Sequence, residues 1–117
     1  MSTVPSPSRR LKLRPLVTEA ETVVRCSGRL TSEYAEEFKD EVRKLIPGAT
    51  AVVLDFTHLE YMDSSGIGAV VRLYVTARKE NCELHLVNFN QRIRDLLGLT
   101  GLLKIFGDCG QYMVRMP

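Results

Sequence analysis

The chain has 117 residues, 44% hydrophobic and 26% charged, the composition of one globular domain with a single packed core. Its 16 lysines and arginines against 14 aspartates and glutamates leave a formal net charge of +2, too small an excess to predict nucleic acid or a membrane surface as partner. The cysteines Cys26, Cys82 and Cys109 are odd in number and far apart, which fits neither a disulfide framework nor a metal-ligand set, and no apolar run approaches the roughly 20 residues of a membrane helix.

Residues 1–10 read as a disordered tail rich in Ser and Pro, and 11–117 as the domain. Arg9, Arg10, Lys12 and Arg14 read as a solvated, basic lead-in to the first strand. With no apolar stretch for a signal peptide and with free thiols expected, the chain is assigned to the cytoplasm.

Leu11 to Val17 alternates around Pro15 and predicts an edge strand, where proline is tolerated. Thr22 to Cys26 predicts a second strand, closed by Gly28. Thr31 or Ser32 then caps a helix whose buried face is Ala35, Phe38, Val42, Leu45 and Ile46, ended by Pro47-Gly48. The continuous apolar run Ala51 to Phe56 predicts a central strand covered on both faces. Asp63 caps a second helix with Ile67, Val70, Val71, Tyr74 and Arg78 on one face. Glu83 to Val87 is a further strand, and Asn90 caps a third helix carrying Ile93, Leu96 and Leu97, with Gly98 past its end. Leu102 to Phe106 is the last predicted strand. The fold class is therefore α/β, in the order β-β-α-β-α-β-α-β, a mixed sheet with helices packed against it.

The segment Met62-Asp63-Ser64-Ser65-Gly66-Ile67-Gly68 lies between a buried strand and an amphipathic helix. A helix start carries unpaired N–H groups and partial positive charge, so an anion is welcome there. A phosphoserine in the first turn would bring roughly −1.5 to −2 charges to that place. Gly66 and Gly68 remove side chains near the turn, which lets another surface approach the backbone. The helical wheel puts Ser64 at the edge of the apolar face and Ser65 toward solvent. An Asp-Ser-Ser-Gly helix cap also occurs with no role beyond capping.

Val52 to Phe56 with Tyr61 to Gly68 resembles the signature of STAS domains, specifically bacterial anti-sigma factor antagonists. So do Cys26-Ser27-Gly28-Arg29-Leu30, Leu84 to Asn88, Ile93 to Leu97 and Thr100 to Ile105. The resemblance implies a single STAS-like domain and a partner-switching cycle. The unphosphorylated protein would bind an anti-sigma factor that is also a serine kinase, releasing a sigma factor. Phosphorylation of Ser64, with Ser65 in reserve, would end that contact, and a serine phosphatase would reset it. Thr31, Met62, Asp63, Ser65, Gly66 and Gly68 are the partner-binding residues so implied, and the free chain would be a monomer. Two features depart from the family pattern. Thr31 stands where an aspartate often follows the Gly-x-Leu turn, and Gly107 to Pro117 leaves room for only a short fourth helix or none.

Rival readings are weaker. A serine hydrolase would want Gly-x-Ser-x-Gly, but Met62 and Asp63 occupy the first glycine's place before Ser64 and Ser65, and His58 and His85 do not align with either serine. The chain is thus expected not to be an enzyme. Gly66-Ile67-Gly68 begins a dinucleotide-type pattern, but Val71 replaces the third glycine, and no lysine follows as in a phosphate-binding loop. No cofactor or metal is expected. The alternative function is a STAS scaffold that is not phosphorylated, or an accessory subunit of a transporter or stress-signalling complex.

Overall fold

The structure, a computed structural model, describes residues 10–102 and 104. Its elements run β1 (Lys12–Val17), β2 (Thr22–Leu30), α1 (Ala35–Arg43), β3 (Ala51–Met62), α2 (Ser64–Lys79), β4 (Glu83–Val87) and α3 (Gln91–Leu99). The strands form one mixed sheet in the order β1-β2-β3-β4. β1 and β2 are an antiparallel hairpin, while β2–β3 and β3–β4 are parallel and joined through α1 and α2. The hairpin turn is held by Thr18, whose N–H and hydroxyl both donate to the Glu21 carbonyl, at 2.9 and 2.6 Å.

Strand alternation sorts the core. Val24, Val52, Leu54, Phe56, Leu84 and Leu86 point to one face and pack with Phe38, Val42 and Ile46 after α1's start and with Val70, Leu73 and Ala77 of α2. The opposite face carries a separate small cluster of Val23, Val53 and Val87. This arrangement bears out the α/β class and the two-sided burial of Ala51–Phe56.

Several boundaries differ from the sequence reading, each for a physical reason. β2 does not close at Gly28 but continues to Leu30, through register shifts between Arg25 and Ser27 and between Gly28 and Arg29. Gly28 sits within the strand at φ +92°, where a Cβ would lie 2.1 Å from the Arg10 carbonyl oxygen. Its role is a bulge with close backbone approach. β3 likewise runs past Phe56 to Met62, because the polar stretch after Phe56 pairs with the extended β2, Ser27 opposite His58 and Leu30 opposite Met62. Neither Thr31 nor Ser32 caps α1. The helix starts at Ala35 with Tyr34 at its N-cap position and no side-chain cap, since Thr31 to Tyr34 forms a turn closed by the Tyr34 N–H to the Thr31 carbonyl, 2.9 Å.

The buried face of α2 is rotated from the predicted one. Gly66, Ile67, Ala69, Val70, Leu73 and Ala77 are inside, whereas Val71 and Tyr74 are half-buried and Arg78 is exposed. Small residues at 66, 69 and 77 allow close approach, which a wheel weighted by large apolar side chains does not register. Arg78 instead donates to the Tyr74 hydroxyl at 3.2 Å. Asn90 does cap α3, accepting from the Ile93 N–H at 2.9 Å, but Gly98 lies inside the helix. The left-handed residue after α3 is Gly101, at φ +79°. Leu102 is in a turn and Lys104 is helical, so the strand predicted over Leu102 to Phe106 is not formed by its described residues. Residues 1–9 of the tail predicted over 1–10, Cys109 and the segment Gly107 to Pro117 lie outside the described residues.

Candidate functional site at the start of helix α2

β2 and β3 overshoot the end of β4, whose last partner on β3 is Asp55 opposite Val87. The two long strands end together at the Leu30–Met62 pair. The turn after β2 and the turn after β3 therefore emerge side by side, and Asp63 ties them. Its Oδ1 accepts from the N–H groups of Ser65 and Gly66 at 2.9 and 3.1 Å. Its Oδ2 accepts from the Ser32 N–H at 3.1 Å, across 31 positions of sequence. Its own N–H donates to the Leu30 carbonyl at 3.2 Å, and its carbonyl accepts from the Ile67 N–H at 3.1 Å. One carboxylate thus caps α2 and fastens the Thr31–Tyr34 turn to it, satisfying orphan donors from two chain segments.

The predicted site residues separate into two groups. Ser64 is exposed at the first position of α2, and Gly68 is exposed one turn on, with no atom within 4 Å of where a Cβ would stand. Ser65 and Thr31 are half-buried. This corrects the wheel, which turned Ser65 rather than Ser64 outward. Ser65 faces the groove between α1 and α2, lined also by Ser32, Glu36, Lys39, Gly68 and Arg72. Met62 and Gly66 are not surface residues. Met62 is 3% exposed, and a Cβ on Gly66 would lie 2.7 Å from both the Leu30 carbonyl oxygen and the Met62 Cγ. The sequence argument that Gly66 frees the backbone for a partner is therefore replaced. The approaching surface is the chain's own, the end of β2. Gly68 keeps the open position for which both glycines were read.

Charge around the site is modest. Lys39 is paired with Glu36 at 3.2 Å along α1, on one side of the groove, and Arg29 lies 5.0 Å over the Tyr61 ring just before the strand ends. Ser32 enters the site through its N–H to Asp63, and Leu30 through its carbonyl and its side chain packed at Gly66. Their residue types gave no signal, and only the register of β2 on β3 reveals them. The histidines stand elsewhere. His58 is exposed in β3, and His85 in β4 has its Nε2 2.9 Å from a Glu83 carboxylate oxygen. Among the described residues no helix is long and apolar enough to cross a membrane, and no group of three or more His, Cys, Asp or Glu is placed to hold a metal ion.

The chain has known relatives. The family model described as "STAS domain" matches residues 12–113. The chain belongs to the STAS domain family. Among STAS relatives, an anti-sigma F factor antagonist of Paenibacillus polymyxa is 28% identical over 85 residues, 71% of this chain and 73% of that one. The anti-sigma factor antagonist SpoIIAA in its unphosphorylated form superposes with a TM-score of 0.69 at 25% identity, covering 80% of this chain and 82% of its own. SpoIIAA of Bacillus in its phosphorylated form superposes with a TM-score of 0.64, also at 25% identity, covering 80% of this chain and 85% of its own. The STAS fold implied by the resemblance and the expected mixed sheet are thus borne out, with four of the five predicted strands formed among the described residues.

Proposed function

We propose that this STAS domain is an anti-sigma factor antagonist whose binding state is set by phosphorylation of Ser64. The observation that carries the reading is the exposed Ser64 side chain at the head of α2, beside a backbone that Asp63 holds in one conformation. A kinase active site needs an accessible hydroxyl on a defined backbone, and Ser64 meets both needs better than half-buried Ser65, which stays in reserve. The names of the relatives support the same reading. The partner is an anti-sigma factor with serine-kinase activity, and a serine phosphatase restores the free hydroxyl. The free chain is a monomer acting in the cytoplasm.

The contact surface in this proposal is the Thr31–Ser32 turn, Asp63, Ser64, Ser65 and Gly68. Met62 and Gly66 support it from beneath. Phosphate on Ser64 would not be absorbed by the helix start. Asp63 already accepts from the Ser65 and Gly66 N–H groups, and the Asp63 N–H is spent on the Leu30 carbonyl. The added charge of roughly −1.5 to −2 stays on the surface, next to the Asp63 carboxylate. It acts on the partner's approach, by like charge and by desolvation, and leaves the fold in place. A loss of about 4 kcal/mol in this contact weakens binding roughly a thousandfold.

The test mixes the purified chain with serine-kinase anti-sigma factors of its source organism and ATP-Mg, and locates the modification by mass spectrometry. Phosphate on Ser64, absent in Ser64→Ala and followed by release from the kinase, is the expected result. A chain that no such kinase modifies at Ser64 or Ser65 overturns the switch.

A further inference from the structure

A second concave feature lies away from the α2 site, on the sheet face opposite α1 and α2. Its volume is about 730 Å³, and its walls include Lys12, Arg14, Arg25, Ser27, His58 and Glu60. That volume falls in the range of small-ligand sites, roughly 300–1,000 Å³. Three cations come to one place by strand geometry. Lys12 and Arg14 are two apart on β1 and so share a face, and the hairpin register sets Arg14 directly opposite Arg25. Like charges directly opposite on an antiparallel pair disfavour the sheet. The register is nevertheless fixed by Leu13 and Val24 on the other face, so the repulsion is built in.

The carboxylates nearby offset the group only in part. Asp55, opposite Arg25 on β3, is 6% exposed, and its Oδ1 is occupied by the Thr57 N–H and hydroxyl and by the Asn88 amide at 3.0, 2.5 and 3.2 Å. Its Oδ2 forms a long ion pair with the Arg25 Nε at 3.9 Å, beyond hydrogen-bond distance, so it offsets the charge of Arg25 without taking up a donor at close range. With Glu60 on the wall and Asp55 beside Arg25, the three cations face two carboxylates, an excess of one positive charge. The guanidinium groups of Arg14 and Arg25 keep donors in a planar fork that suits phosphate or carboxylate oxygens. The side chain of Arg25 is 54% exposed, so those donors face the cavity's solvent.

We propose that this cavity binds a small multivalent oxyanion, held by Lys12, Arg14 and Arg25 with the Ser27 hydroxyl and His58 as further polar contacts. The bound anion relieves the Arg14–Arg25 repulsion, so ligand binding and β-hairpin stability are linked. The site is independent of Ser64 and lies on the opposite layer of the domain. The shared chemistry is a dense cluster of anionic oxygens, which a phosphate-bearing metabolite or a polycarboxylate can both supply.

The test is NMR titration of the isotope-labelled full chain at constant ionic strength, with sodium pyrophosphate and, separately, sodium citrate. The expected result is saturable shifts centred on the amides of Lys12, Arg14, Arg25 and Ser27, with binding about tenfold or more weaker in Arg14→Gln/Arg25→Gln. The control Arg43→Gln/Lys44→Gln on and beside α1 should bind as the parent does. Saturation by pyrophosphate alone assigns the site to phosphate ligands, by citrate alone to polycarboxylates, and by both to oxyanions generally. No saturable shift with either probe at millimolar concentration, shifts centred elsewhere, or equal weakening in the α1 control overturns the proposal. The shift map of the unaltered chain decides the matter even if the double variant does not fold.

Discussion

Replacing Asp63 tests whether one carboxylate organises the functional end of the domain. Asp63→Ala removes the acceptor for the Ser65 and Gly66 N–H groups and for the Ser32 N–H. Loss of an aspartate N-cap costs about 1 kcal/mol, and up to about 2 where the cap is well formed. The bond to Ser32 adds about 0.5–1 kcal/mol, because that N–H is at the surface and water replaces part of the loss. The expected total is about 2 kcal/mol, or roughly 8 °C in Tm for a domain of this size. Urea and thermal unfolding followed by circular dichroism measure it. Asp63→Asn separates the two duties. Its amide oxygen can still cap α2, but its NH2 group would face the Ser32 N–H, donor against donor. That variant should lose only about 0.5–1.5 kcal/mol, with faster amide exchange at Ser32 than at Ser65. A cost below about 0.5 kcal/mol for Asp63→Ala, or equal costs for the two variants, would refute the account of a two-armed staple.

The two glycines of the motif should respond with opposite signs. Gly66→Ala places a methyl 2.7 Å from the Leu30 carbonyl and the Met62 side chain, and should destabilise by about 1–2 kcal/mol in urea unfolding even after the gain in helix propensity. Gly68→Ala meets nothing within 4 Å and should stabilise by about 0.5–1 kcal/mol in the same assay. Cys26 is 1% exposed, and burial pushes its thiol well above the ordinary value of 9.0. It should therefore escape iodoacetamide in the folded chain and react in urea, as read by peptide mass spectrometry. Above pH 9.0 the unfolded chain releases this proton while the folded chain keeps it, so stability falls as pH rises, and Cys26→Ala should flatten that alkaline slope.

Much of the scaffold was legible because its signals are local. The apolar run Ala51 to Phe56 and the Asp63 and Asn90 caps each act through neighbours in sequence, and each stands where it was read, whereas α1 ends at Arg43, before the stop read at Pro47-Gly48. What escaped depends on pairing between distant segments. Thr57 to Tyr61 carries polar residues and reads as loop, yet it is strand because the extended β2 supplies its hydrogen-bond partners. Gly28 reads as a terminator and is a bulge for the same reason. In the site, Asp63 and Ser64 were legible as a helix start. The burial of Met62 and Gly66 was not, since it follows from the end of β2 packing onto α2.

The overshoot of β2 and β3 also bears on the proposed switch, because it would let a phosphate at Ser64 act without unfolding the domain. The two strands deliver Leu30 and Met62 as a buried pair, and Gly66 packs on both, so the backbone beneath Ser64 is fixed by close contact on its inner side. Asp63 fixes it on the outer side, through donors from α2 and from the Thr31–Tyr34 turn. A segment held from both sides has no second arrangement within easy reach, and a charge added at its exposed corner finds no vacant pair of helix N–H groups to pull the loop inward. The only free response lies outside the domain, in the surface of whatever docks there. A rigid site of this kind transmits modification as a change in complementarity, which is the property a partner-switching module requires.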